Sequence, residues 1–259
     1  MKIFQVDAFT SEPFKGNPAG VCILEKDMPV KWMQGIAKDM NLAETAFVKK
    51  DGNKFSLRWF TPKVEVDLCG HATLATAHIL FQSGYLPEND LALFETKSGL
   101  LKAKYSDDWI ELDFPQTQVE KIDLPEGIEK ALGAKVSFLG KSIFDYFAVF
   151  ENEEIVKNMK PDISAIEKYD VRGLIVTSPS KEFDFISRFF APQSGIIEDP
   201  VTGSAHSALY PYWSEKLGKK KLIAQQASER GGVLKLSSKE DRVLIAGQAV
   251  TIFEGSLKV

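Results

Sequence analysis

The sequence predicts an α+β fold of two pseudo-symmetric halves, each a curved, mostly antiparallel, barrel-like sheet around one central helix. Three observations lead there. Blocks of sequence recur in order along the 259 residues. Short strand patterns dominate both halves, and one long apolar helical pattern interrupts each series at a matching place.

The recurrence comes first. Cys69-Gly70-His71-Ala72-Thr73-Leu74-Ala75 aligns with Thr202-Gly203-Ser204-Ala205-His206-Ser207-Ala208, with a glycine and two alanines in common. Gly70 and Gly203 lie 133 positions apart. The same shift takes Gly99-Leu100-Leu101-Lys102 to Gly232-Val233-Leu234-Lys235, and Asp108-Trp109-Ile110 to Asp241-Arg242-Val243. Arg58-Trp59-Phe60-Thr61-Pro62 returns as Arg188-Phe189-Phe190-Ala191-Pro192 after a small change in loop length. These blocks point to two copies of one unit, residues 1–115 and 116–259, with the last strand packing back on the first unit. They meet near Asp113 to Lys121, where DFPQTQVEK reads as a linker.

Each unit reads mostly as strands. KIFQVDAF, ETAFV, FSLRWF, ALFETK and WIELDF in the first half are rich in apolar residues and bounded by turn formers. FDYFAVF, GLIVTS, FISRFF, KLIAQQ and RVLIAG follow in the second. Helices are predicted over His71 to Gln82 and Ser204 to Lys216. Gly84 is a candidate C-cap for the first, and Pro211 should kink or shorten the second.

Composition narrows the function classes. The chain is 44% hydrophobic and 26% charged, the make-up of a globular protein with a sizeable core. Lysine and arginine number 32 against 36 aspartates and glutamates, a net charge of −4. Lys219-Lys220-Lys221 is an isolated cluster that reads as a solvated helix end, not a phosphate-tracking surface, so no nucleic acid is expected. Two cysteines, Cys22 and Cys69, make no disulfide framework. Gln5 and Asp7 stand where a signal peptide needs an apolar run, and no stretch approaches a membrane span. The expectation is a cytoplasmic location and no membrane partner.

The chemistry should gather where the two helices begin. Gly70 opens one and Gly203 the other, and a helix start offers unpaired N–H groups and partial positive charge. Glycine also lets a ligand approach the backbone. If the copies face each other, the starts at Gly70, His71, Ala72 and at Gly203, Ser204, Ala205 converge on one anion, a site for a carboxylate. Otherwise the glycines only ease tight strand-to-helix turns.

Glu44 is the leading base. It begins the strand of Ala46-Phe47-Val48, and a glutamate beside buried apolar surface tends towards a raised pKa suited to proton transfer. A surface glutamate at a strand end is the other reading. Near the corresponding place the second copy has Arg172-Gly173-Leu174 and no carboxylate. Asp199 either caps the second helix or acts as a second acid. His71 either shuttles a proton or is a helix-start histidine bonded to backbone.

Other chemistries lack support. His71 and His78 would lie about 10 Å apart along a helix, too far to share a metal. With three histidines and no cysteine pair, no metal is expected. Neither a dinucleotide nor a P-loop pattern occurs. Ser204 lacks the nucleophile-elbow context, and His206, two residues on, points away from it, so hydrolysis has no base.

Four motifs then carry a resemblance: Gly16-Asn17-Pro18-Ala19-Gly20, Asn41-Leu42-Ala43-Glu44-Thr45-Ala46-Phe47, Cys69-Gly70-His71-Ala72-Thr73-Leu74-Ala75, and Glu198-Asp199-Pro200-Val201-Thr202-Gly203-Ser204-Ala205-His206. Together they resemble the phenazine-biosynthesis isomerase-like (PhzF-like) family, which is similar in fold to diaminopimelate epimerase. The resemblance implies a catalytic glutamate at Glu44, an active-site histidine at His71, an aspartate at Asp199 and a serine at Ser204. It also implies a homodimer. The related two-thiol racemases carry a cysteine before each helix glycine; here Cys69 is kept but the second place holds Thr202.

The function expected is a cofactor-independent isomerase that moves a proton at a carbon near the carboxylate of a small acid. Charge would build on the carboxylate, where helix starts stabilise it more strongly in the transition state. Two alternatives stand beside it. One is a one-thiol epimerase or dehydratase using Cys69 as a low-pKa thiol; the other is a non-catalytic small-acid binding protein.

Overall fold

A computed structural model describes all 259 residues. The chain divides into two compact units, residues 1–113 with 244–259, and residues 114–243.

Unit 1 runs β1 (Lys2–Ala8), β2 (Asn17–Leu24), α1 (Val30–Met40), β3 (Glu44–Asp51), β4 (Lys54–Phe60) and β5 (Glu65–Val66). It continues with α2 (Gly70–Gln82), β6 (Leu91–Thr96), β7 (Gly99–Ser106) and β8 (Trp109–Pro115), within which the unit ends. Unit 2 holds β9 (Glu120–Lys121), α3 (Ile128–Leu132), β10 (Phe138–Lys141), β11 (Asp145–Val149), α4 (Glu153–Asn158) and α5 (Ile163–Ile166). Then come β12 (Gly173–Pro179), β13 (Phe185–Phe190), α6 (Gly203–Leu217), β14 (Lys221–Gln226) and β15 (Gly232–Lys239). The chain returns to unit 1 within β16 (Arg242–Gly247), and β17 (Ala249–Ser256) pairs antiparallel with β1. The carboxyl-terminal residues 244–259, assigned above with 116–259, thus lie in unit 1.

The two units share one pairing scheme. In unit 1, β1–β2 is antiparallel, β2–β3 parallel, β3–β4 antiparallel, β4–β6 parallel and β6–β7 antiparallel. In unit 2, β10–β11, β11–β12, β12–β13, β13–β14 and β14–β15 repeat that alternation in the same order. The fold is α+β, with two pseudo-symmetric halves of mostly antiparallel sheet.

Each unit buries one long helix. In α2, every residue from His71 to Ala77 and from Ile79 to Phe81 is buried, and the helix packs on β1, β2, β3, β7 and β17. A helix apolar on nearly all sides has to be a core element. It ends at Ser83, with Gly84 in the left-handed region at φ 70°. Helix α6 packs on β14 and β15, with Trp213 stacked 5.5 Å from Phe185 of β13 and its Nε1 donating to Thr177 Oγ1 of β12 at 3.0 Å.

Two local expectations needed correction. Pro211 does not shorten α6, which is continuous from Gly203 to Leu217. A proline in a helix leaves the carbonyl four residues back without its N–H. Here that carbonyl, on buried Ser207, receives the Thr117 N–H at 3.1 Å instead. The second correction is α1, which the strand-dominated reading passed over. Its buried Met33, Ile36 and Ala37 have helical spacing and join Phe47, Phe60 and Ile3 in one core cluster. No helix in the chain is long and apolar enough to cross a membrane.

Candidate active site

The unit 1 site is built from three strand and helix beginnings. Asn17 is the first residue of β2, Glu44 the first of β3, and His71 the second of α2. Parallel pairing of β2 with β3 sets Ala19 beside Glu44 and so brings the strand starts together. Gly16 allows the close approach of β1 just before Asn17, which pairs with Ala8. At φ +66° it lies in the left-handed region, and a Cβ there would come 2.2 Å from the Ala8 carbonyl oxygen.

Glu44 stands at the edge of the buried part of β3: Ala46, Phe47 and Val48 are at most 1% exposed, whereas the Glu44 side chain is 14% exposed. Its Oε2 lies 3.2 Å from His71 Nε2, though that contact is not aligned as a hydrogen bond. Asn17 Nδ2 donates to His71 Nδ1 at 3.3 Å, and the Cys69 Sγ lies 3.5 Å from the same nitrogen. Burial holds His71 far below its ordinary pKa, at about 4. The ring is therefore neutral near pH 7. Because Nδ1 accepts from Asn17, the hydrogen sits on Nε2, facing the carboxylate.

Cys69 is the N-cap residue of α2, 7% exposed, and makes no side-chain capping bond. The donor atoms of Glu44, Cys69 and His71 all lie within 4.8 Å of one another, close enough to be weighed as metal ligands. A cation there would sit at the positive end of α2, where the helix dipole opposes it. Gly70, His71 and Ala72 form the first turn of that helix, whose N–H groups have no partners within it.

In unit 2, Gly203, Ser204 and Ala205 open α6. Thr202, not Asp199, is the N-cap residue, and it makes no side-chain capping bond. Asp199 instead accepts from the Thr202 hydroxyl at 2.5 Å, while Gln226 bridges the Asp199 carbonyl and the Thr202 N–H at 2.7 and 2.8 Å. Asp199 thus shapes the entry to α6 through Thr202. His206 is fully buried, its Nδ1 donating to the Thr202 carbonyl at 2.8 Å and its ring stacked on Phe185, so it offers Ser204 no base.

Two residues of this environment escaped the sequence reading. Asn17 was quoted only as part of a motif, and Asp145 was not singled out. Each is the first, buried residue of the strand that pairs parallel with the next. A buried polar residue at a strand start was the available signal.

A sequence profile of the phenazine biosynthesis-like protein family matches residues 6–255. An uncharacterized isomerase of Halalkalibacterium halodurans is 49% identical over 258 residues, covering 98% of this chain and 97% of that protein. The crystal structure of a PhzF-family phenazine biosynthesis protein from Enterococcus faecalis superposes with a TM-score of 0.96 at 44% identity, covering 100% of this chain and 99% of the other. A predicted epimerase of Pseudomonas aeruginosa, 16% identical with a TM-score of 0.76 over 100% and 99% of the two chains, shares the fold. The chain belongs to the phenazine biosynthesis-like (PhzF) family.

Proposed function

We propose that the chain is an isomerase that moves a proton on a small carboxylic acid, with Glu44 as the group that takes and returns it. The observation that supports this reading most is the 3.2 Å approach of Glu44 to a neutral, buried His71 at the start of α2. A carboxylate needs no cofactor to accept a proton, provided that the charge left on the substrate is stabilised. The first-turn N–H groups of Gly70 to Ala72 supply that stabilisation to the substrate carboxylate. His71, with its hydrogen on Nε2, stands 3.2 Å from the Glu44 carboxylate. Ser204 and the start of α6 are assigned as further substrate contacts, and Asp199 as the group that orders that helix start. The name of the Halalkalibacterium relative and the family assignment support the reaction class.

A second reading keeps Cys69 as the acid or base. The 3.5 Å approach of its sulfur to His71 Nδ1 favours it.

The deciding experiment follows deuterium uptake by NMR in D2O with crotonate, vinylacetate, L-alanine and L-glutamate. Exchange lost in Glu44→Gln and kept in Cys69→Ala supports the proposal, with a loss of about 100- to 10,000-fold for a removed general base. The opposite pattern transfers the role to the thiol. Binding without exchange in the native protein makes it an acid-binding protein.

A further inference from the structure

Unit 2 has a polar cluster of its own beside the start of its buried helix. In unit 1 the first residue of a strand (Asn17), the opening residue of its parallel neighbour (Glu44) and the second residue of the buried helix (His71) meet. In unit 2, Asp145, the first residue of β11, meets Arg172, which immediately precedes the parallel strand β12, and Ser204, the second residue of α6. Arg172 Nε donates to Asp145 Oδ1 at 2.9 Å, Nη2 donates to Asp145 Oδ2, and Nη1 donates to Ser204 Oγ at 3.1 Å.

The guanidinium is held unusually firmly for a side chain 36% exposed. Asp145 beneath it is 2% exposed, and its backbone N–H donates to Ser142 Oγ at 2.9 Å. The Arg172 N–H donates to the Phe144 carbonyl at 2.8 Å. The rings of Phe144 and Phe189 flank the cation at 5.1 and 5.4 Å. Gly173 lets Phe189 come so near, since a Cβ there would stand 2.4 Å from its ring.

Neutralising Asp145 explains two of these bonds and leaves the third unexplained. A cation beside the first turn of α6 works against the helix dipole, so stability alone does not account for its reach to Ser204. The contact also decides which way Ser204 acts. A hydroxyl has one hydrogen, and in α2 both Thr73 and Thr76 give theirs to the carbonyl four residues back, at 2.6 and 2.7 Å. Ser204 Oγ instead accepts from Arg172, and the Pro200 carbonyl four residues back takes the Ser228 hydroxyl. The Ser204 hydrogen is thereby kept for an acceptor outside the protein.

We propose that Arg172 is a positioning residue that presents Ser204 as a hydrogen-bond donor to an anionic group of the substrate, with Asp145, Phe144 and Phe189 as its clamp. This rests on the reading of Ser204 as a substrate contact.

The test is a double-mutant cycle in the deuterium-exchange assay with whichever of the four acids exchanges. Arg172→Gln and Ser204→Ala should each raise the apparent KM on the order of 10- to 100-fold, as expected for a bond to a charged group, with kcat changed far less. The double variant should be no worse than the poorer single one, and Arg172→Lys should recover only part of the loss. Unchanged KM in Arg172→Gln, or multiplicative effects in the double variant, overturns the proposal. Should Arg172→Gln fail to fold because it strands buried Asp145, the pair Asp145→Asn with Arg172→Gln carries the same test. Should the native protein exchange none of the acids, saturation-transfer NMR of the same acids on Glu44→Gln protein decides. Binding weakened by Arg172→Gln upholds Arg172 while the isomerase reading falls; binding absent or unaffected overturns both.

Discussion

Acid should destabilise this protein through its buried histidines. Burial holds His71 and His206 at about 4, against an ordinary 6.5. A histidine depressed in the folded state is protonated more readily in the unfolded chain, so stability rises with pH between the two values and is lost as pH falls through that window. Between about pH 7.5 and about pH 5, each such group forfeits about 2 kcal/mol, since the unfolded imidazole charges while the folded one stays neutral. For a chain of this size that amounts to about 4–8 °C of thermal midpoint per histidine. His206 is the clean probe because it lies outside the proposed chemistry. His206→Gln retains an N–H for the Thr202 carbonyl and removes the titration. The midpoint of the native protein, followed by circular dichroism, should fall steeply between the two pH values. In His206→Gln it should start lower but lose about 2 kcal/mol less over the same interval. An equal pH dependence in both proteins would refute the reasoning.

Three further outcomes follow from single contacts. Asn17→Leu should release the tautomer of His71 and slow exchange by about 10-fold or more while the fold persists, checked by the NMR assay beside a thermal melt. Gly16→Ala should destabilise unit 1 by about 1–2 kcal/mol or more, because φ +66° is costly for any Cβ and the Ala8 carbonyl blocks it; urea denaturation measures this. Thr117→Pro should cost about 1–3 kcal/mol by stranding the Ser207 carbonyl, again read by urea midpoint. In a Pro211→Ala background that cost should shrink, since the helix can then satisfy Ser207 itself.

Much of the fold was legible because it is periodic. The strands over 185–190 and 221–226 lie where their apolar runs put them, and both long helices start within a residue of their expected positions. Helix α1 was missed although Met33, Ile36 and Ala37 have helical spacing, because Gly35 and the polar residues between them dilute a short pattern. The continuity of α6 through Pro211 was not legible at all. It depends on an N–H from Thr117, ninety-odd residues of chain order away from any local rule, and only folding brings that partner to the Ser207 carbonyl.

The site divides along the same line. Residue type and spacing offered Glu44, His71, Asp199 and Ser204 as candidate groups, and placed glycine at the start of both buried helices. Which groups touch was decided by tertiary structure. Asn17 reaches His71 because α2 packs on β2, and Arg172 reaches Ser204 because Asp145 and two phenylalanine rings hold it there. Hydropathy and turn chemistry are local properties, written in a few neighbouring residues. The tautomer of a buried imidazole and the direction of a serine hydrogen are set by partners far off in the chain, so they exist only once the chain has packed.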